Sequence, residues 1–106
     1  MALAVRCYRL TQQFPKEELY GLTSQIRRSA SSIPANIAEG NGRENRREYI
    51  QFLRIAQGSL KELETHLLLS IQVGVTTTAS VDPILMQCET QGKQLRALIR
   101  SLQAKE

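Results

Sequence analysis

The segment Leu22–Arg43, LTSQIRRSASSIPANIAEGNGR, decides how the rest of the chain is read. Its apolar residues Leu22, Ile26, Ala30, Ile33 and Ile37 recur at spacings of three and four, which puts them on one face of an α-helix. Ser29, Ala30, Ser31, Ser32, Ala35 and Ala38 leave this helix nearly free of large side chains, so it is expected to press closely on its neighbours. Pro34 stands in mid-pattern. It lacks an N–H and its ring crowds the carbonyl of Ala30, so a bend costing about 3 kcal/mol is expected unless packing compensates. So smooth a surface also suits a partner subunit. Core packing and subunit pairing are both open.

Working outward, residues 2–14 read as a first helix with Leu3, Cys7, Leu10 and Phe14 on its seam. Pro15 ends it, because the residue before a proline disfavours helical angles. PKEELYG, residues 15–21, is then a tight connection of about one turn, with Leu19 and Tyr20 tucked beneath it. Gly40, Asn41 and Gly42 tolerate the left-handed conformation of a helix end and stop the second helix. Asn45, with Glu48 three residues on, resembles a capping box that opens a third helix reaching about Val73. Its seam is Tyr49, Leu53, Ala56, Leu60, Leu63, Leu67 and Ser70, widened by Phe52, Leu68 and Ile71. Gly74 closes it, VTTTAS forms a loop, and Asp82-Pro83 reads as the N-cap and first residue of a fourth helix. That helix carries Leu85, Cys88, Gly92, Leu95, Ile99 and Leu102 on its seam. No segment alternates with period two. The expected fold is therefore all-α: an antiparallel up-down four-helix bundle, one domain over residues 1–106.

Composition bounds the function. The 106 residues are 42% hydrophobic, enough for a core, without the ~18-residue apolar run of a membrane span or a leader peptide. A soluble cytoplasmic protein with no membrane contact is expected. Cys7 and Cys88 are too few for a disulfide framework and fall on apolar faces, so they read as reduced, buried thiols. The net charge of +4 permits polyanion binding without requiring it.

Catalytic constellations are missing. A di-iron bundle needs paired Glu-x-x-His sets, whereas the lone histidine, His66, follows Glu62 by four residues with no second set. No zinc-type cysteine pair, nucleophile elbow or phosphate-binding glycine loop occurs. Neither metal nor cofactor is expected, and the chain reads as a non-enzyme.

The basic residues say more. Arg27 and Arg28 lie on the second helix, Arg43, Arg46 and Arg47 cluster where the second helix meets the third, and Arg54 and Lys61 follow along the third. Guanidinium groups grip phosphate bidentately, so these six arginines are candidate contacts to RNA or DNA. Glu39, Glu44 and Glu48 are interleaved with them and offer the alternative of surface ion pairs. There is no Trp, and Phe14, Tyr49 and Phe52 lie on or beside seams, so any binding is expected to be backbone-directed and salt-sensitive.

FPKEELYGLTSQIRRSASSIPANIAEGNGR (14–43) and EYIQFLRIAQGSLKELETHLLLSIQVG (48–74) closely resemble the four-helix-bundle proteins encoded in intervening sequences of bacterial 23S rRNA genes. The elements QIRR, SIPANIAEG, GR and A-x-GSL-x-E-x-E occur in order, and the likeness runs from Tyr8 to Leu102. Its motif positions here are Gln25, Arg27, Arg28, Asn36, Glu39, Gly40, Arg43, Gly58, Ser59 and Glu62. The resemblance implies a non-catalytic bundle that assembles into a homopentamer. It extends to the accessory protein of diversity-generating retroelements, which implies a reverse transcriptase and nucleic acid as partners. Three function classes follow: a homo-oligomeric backbone-binding scaffold, a protein-interaction module without nucleic-acid binding, and, least favoured by the residues, an enzyme.

Overall fold

A computed structural model describes residues 1–105. Four helices, α1 (Ala2–Thr11), α2 (Ser24–Asn41), α3 (Arg46–Gln72) and α4 (Thr78–Gln103), make an all-α four-helix bundle 47 Å long, with no strand among the described residues. Helices consecutive in sequence pack side by side, α2 and α3 most extensively, and α1 closes against α4.

The boundaries differ instructively from the sequence reading. α1 ends at Thr11 instead of Phe14, and the chain tightens into i→i+3 bonds, Gln13 N–H to the Leu10 carbonyl and Phe14 N–H to that of Thr11. Phe14 still reaches the core. Between α1 and α2 lie a 3₁₀ turn (Lys16–Glu18) and a wide π turn (Leu19–Thr23), broken at Gly21 with φ −105° and ψ −111°. Leu19 and Tyr20, expected beneath this connection, point outward instead, Tyr20 being 91% exposed. Thr23 is the residue buried there.

α4 begins a turn earlier than Asp82-Pro83 suggested. Thr77 is extended at φ −114° and ψ 156°, and its hydroxyl accepts from the Ser80 N–H at 3.2 Å. The reason is burial: Val81 and Ile84 fill the core, so the seam starts at Val81 and Leu85 moves to its edge. Asp82 is consequently exposed inside the helix. In α3 the expected cap holds, the Asn45 side chain accepting from Arg47 N–H at 2.8 Å and Glu48 N–H at 3.3 Å. Ile50 replaces Tyr49 as the first buried residue, and Leu68 faces outward.

Two glycines expected to play the same part prove different. Gly74 takes the left-handed conformation at φ +81° and lets the chain leave α3. Gly40, read as a helix stop, lies inside α2 and is buried, and helix α2 ends in right-handed geometry at Gly42. An added Cβ at Gly40 would sit 2.7 Å from Phe52 Cβ and 3.0 Å from Tyr49 Cδ1. It is there to let α3 approach. α2 itself runs unbroken through Pro34.

The core is assembled from all four seams, with Cys7, Ile26, Leu53, Leu63, Leu67 and Val81 fully enclosed. Cys7 and Cys88 are free, buried thiols. Burial alone lifts Cys7 from 9.0 to about 12, and burial is also the main cause of the same rise at Cys88.

Two predictions follow from the packing. Gly40→Ala is expected to destabilise the fold by about 1–3 kcal/mol through overpacking against Phe52. Gly58→Ala should instead stabilise by up to about 1 kcal/mol, since no atom lies within 4 Å of its added Cβ. Urea titrations of both variants check this, and equal signs would refute the contrast. For the thiols, the folded state keeps protons that the unfolded state sheds above pH 9, so their contribution is intact below that value and is lost between pH 9 and about 12. A Cys7→Ala/Cys88→Ala variant should show a shallower fall in unfolding free energy over that interval.

Candidate nucleic-acid interface

The motif residues of α2 and α3 meet along one flank of the helix pair. Arg28 Nη2 donates to Gln25 Oε1 and forms an ion pair and hydrogen bond with Glu62 Oε1. The same Glu62 oxygen lies 3.6 Å from His66 Nε2, while His66 Nδ1 is buried without a hydrogen-bond partner among the described residues. Further along, the Ser32 and Ser59 hydroxyls share a 2.8 Å hydrogen bond. Asn36 Nδ2 donates to the Ser32 carbonyl at 2.8 Å and to its hydroxyl at 3.0 Å. Beyond these, Gly40 receives Phe52, and Arg43 lies over the Phe52 ring at 5.0 Å while pairing with Glu39 at 2.7 Å. Contacts thus pass from residue 28 against 62, to 32 against 59, to 40 against 52. The α2 and α3 chains run in opposite senses.

This geometry divides the arginines. Arg27 is held on α1, its Nε donating to Thr11 Oγ1 at 2.8 Å and its guanidinium 4.8 Å from the Tyr8 ring centroid. Thr11 in turn donates to the Cys7 carbonyl, so a cation sits at the C-terminal end of α1 where the helix dipole favours it. Arg28 and Arg43 carry the ion pairs just described. Arg46 donates to the Lys105 carbonyl at 2.8 Å, tying the start of α3 to the end of α4. The sequence-predicted set is not one patch: Arg28 and Arg43 stand roughly 22 Å apart along the helix axis at ~1.5 Å per residue. Arg47 and Arg54 are exposed and have no side-chain partner among the described residues.

Sequence reasoning missed other residues with chemistry. Tyr8 and Tyr20 are both exposed and border, with Arg27 and Arg28, a depression of about 520 Å³. Arg27 covers one face of Tyr8, so Tyr20 alone presents an open ring there. Arg96 lies off the α4 seam and outside every motif of the sequence. It lines a groove of about 510 Å³ between α3 and α4 together with Arg54, Gly58, Lys61, Glu64 and Gly92. Helical spacing put Gly58 and Gly92 a short step from these cations, but only the helix pairing shows that they share a groove.

The small residues of α2 split between two surfaces. Ser29 and Ala30 are buried, whereas Ser31, Ala35 and Ala38 face out and floor an apolar groove of about 710 Å³. Met1, Val5 and Tyr8 of the α1 side form its wall. Further apolar side chains face outward at Ile55, Leu68 and Leu69 of α3 and at Val73 just past its end. No group of three or more His, Cys, Asp or Glu among the described residues could hold a metal ion. No helix among the described residues is long and apolar enough to cross a membrane.

The sequence pattern of the 23S rRNA-intervening sequence proteins matches residues 1–97, which include the whole α2–α3 flank. The chain belongs to that family. Its fold is also that of a protein of unknown function from the S23 ribosomal protein family of Bacteroides thetaiotaomicron VPI-5482, solved at 1.70 Å resolution. The two are 29% identical, superpose with a TM-score of 0.82, and each is covered over 92% of its length. No curated protein matches the chain. Membership of the 23S rRNA-intervening sequence family therefore establishes the fold and leaves the task to the surfaces.

The α2–α3 flank makes a measurable claim. Arg28 and Glu62 are 61% and 39% exposed, so solvent screening limits their coupling. A double-mutant cycle with Arg28→Ala and Glu62→Ala is expected to give about 0.5–1 kcal/mol. A coupling indistinguishable from zero would mean that the pair does not fix the register of the two helices.

Proposed function

We propose that this 23S rRNA-intervening sequence protein is a non-catalytic, homo-oligomeric scaffold that meets nucleic-acid backbone through its uncovered arginines. The observation that carries the reading is the coexistence of an open apolar groove on α1 and α2 with unpartnered arginines on α3 and α4. An open apolar groove of this kind suits the side chains of a second protein surface. It lies on other helices than the outward apolar set of α3, and association through two different surfaces is head-to-tail, which gives a ring when the rotation between copies closes. The family likeness supports five copies. A pentamer of +4 chains would carry +20, enough to turn a weak single-chain footprint into a useful one. Arg47, Arg54 and Arg96 replace Arg27, Arg28 and Arg43 as the principal phosphate contacts, because the latter three are engaged within the chain. Bases would be left unread, so RNA and duplex DNA are both ligands of this surface, and a nucleic-acid enzyme such as a reverse transcriptase is a fitting partner.

The second reading is a protein-interaction module without nucleic-acid binding. The internal pairing of Arg28 and Arg43 favours it. Light scattering and fluorescence anisotropy with a labelled structured RNA and a DNA duplex separate the two. The expected result is a mass five times the 11.9 kDa chain and an affinity falling steeply with salt. Ala35→Arg should dissociate the assembly while leaving the helical circular dichroism intact. An oligomer that binds neither nucleic acid at low salt would leave the protein-interaction reading in force.

A further inference from the structure

We infer that the α3/α4 groove over Gly58 and Gly92 holds a phosphate group gripped by the guanidinium groups of Arg54 and Arg96. The two arginines border one groove from different helices, and neither has a side-chain partner among the described residues. The other charges at the groove are already compensated. Glu64 is 3.3 Å from Lys61 Nζ, and Glu89 is 3.6 Å from Lys93 Nζ. Cys88 at the floor is buried and remains a neutral thiol, so it adds no competing negative charge. What is left over is positive.

The floor is shaped for close approach. A Cβ added at Gly92 would lie 3.4 Å from Arg96 Nη1 and 3.5 Å from Leu60 Cδ2, so the exposed Arg96 side chain turns back along α4 beside Gly92. A Cβ added at Gly58 would meet nothing within 4 Å. Glycine inside a helix is unfavourable, and packing within the chain does not call for it at this position. The vacant space beside Arg54 is where an oxyanion can approach the helix surface. Guanidinium forks match phosphate oxygens bidentately, and two of them from separate helices suit one tetrahedral anion. At about 510 Å³ the groove is larger than a bare phosphate and accommodates a phosphodiester with its flanking sugars. That last step, the nucleic-acid source of the phosphate, rests on the function proposed above; the anion site itself does not.

The test is a titration of the ¹⁵N-labelled full chain with inorganic phosphate, followed by nuclear magnetic resonance, and anisotropy with a structured RNA. Saturable shifts are expected at the Gly58 and Gly92 amides and at the Nε–H signals of Arg54 and Arg96. Arg54→Gln/Arg96→Gln should weaken phosphate binding at least about tenfold, as loss of charge-assisted hydrogen bonds does. Gly58→Leu keeps both arginines but fills the floor. It should weaken phosphate equally without lowering the thermal midpoint. For RNA, the double variant should reduce the slope of log affinity against log salt by about one. Shifts confined to Arg47 and the start of α3, or a Gly58→Leu variant that binds phosphate like the parent, would overturn the site. Phosphate binding in the groove with RNA binding absent, or indifferent to both variants, would keep the anion site and defeat its nucleic-acid assignment.

Discussion

Everything else in this bundle depends on how closely α2 and α3 can approach. Gly40 sets the limit at one end, where Phe52 occupies the space a side chain would need. Ser32 and Ser59 meet hydroxyl to hydroxyl in the middle, and Arg28 reaches Glu62 at the far end. The two kinds of contact have unequal weight. Burying a leucine such as Leu53 or Leu63 stabilises by about 1.5–3 kcal/mol, whereas an exposed ion pair gives at most about 1 kcal/mol. The polar flank therefore selects a register among apolar packings of similar energy. It does not hold the helices together. A slip by one turn would bring Phe52 against an α2 residue with a side chain and separate Arg28 from Glu62.

Periodicity carried the fold because each helix buries one continuous seam, and spacing records that directly. Asn45 was legible as a cap because its side chain and the α3 N–H groups it serves are neighbours in sequence. Thr77 was not. Asp82-Pro83 offered a stronger local signal, and the burial of Val81 and Ile84 decided the matter through contacts distant in sequence. The same limit explains Gly40. A glycine beside Asn41 and Gly42 looks like a helix stop, and only the presence of Phe52 across the interface shows why a side chain is excluded there. Tyr20 failed in the opposite direction: the π turn over Leu19–Thr23 rotates the expected inward face out and buries Thr23.

The candidate site was legible in composition but not in arrangement. An arginine-rich segment looks like a phosphate footprint until the partners of each guanidinium are known. Arg27, Arg28, Arg43 and Arg46 are each engaged elsewhere in the fold, by Thr11, Glu62, Glu39 and the Lys105 carbonyl. Arg96 carried no local signal at all, since its significance lies in facing Arg54 across two glycines. The motif arginines Arg27, Arg28 and Arg43 are thus spent on building the bundle, whereas Arg47, Arg54 and Arg96 keep no side-chain partner among the described residues.

Where the charge resides gives the arrangement its functional sense. Each internal ion pair removes one charge of either sign, so the net +4 stays with side chains outside ion pairs. The unpaired acids among the described residues, Glu17, Glu18, Glu44, Glu48 and Asp82, lie in the connections, in the first turn of α3 or in the second turn of α4. Arg54 and Arg96 lie well inside their helices. Part of the positive excess is therefore set at the α3/α4 groove, while the open apolar groove, bordered by Arg9, belongs to α1 and α2. Self-association through that groove would not cover Arg54 and Arg96, and their positive potential would be repeated once per subunit around a ring. Counterion release scales with the number of phosphates neutralised together, so such repetition raises affinity without a new contact in any one chain.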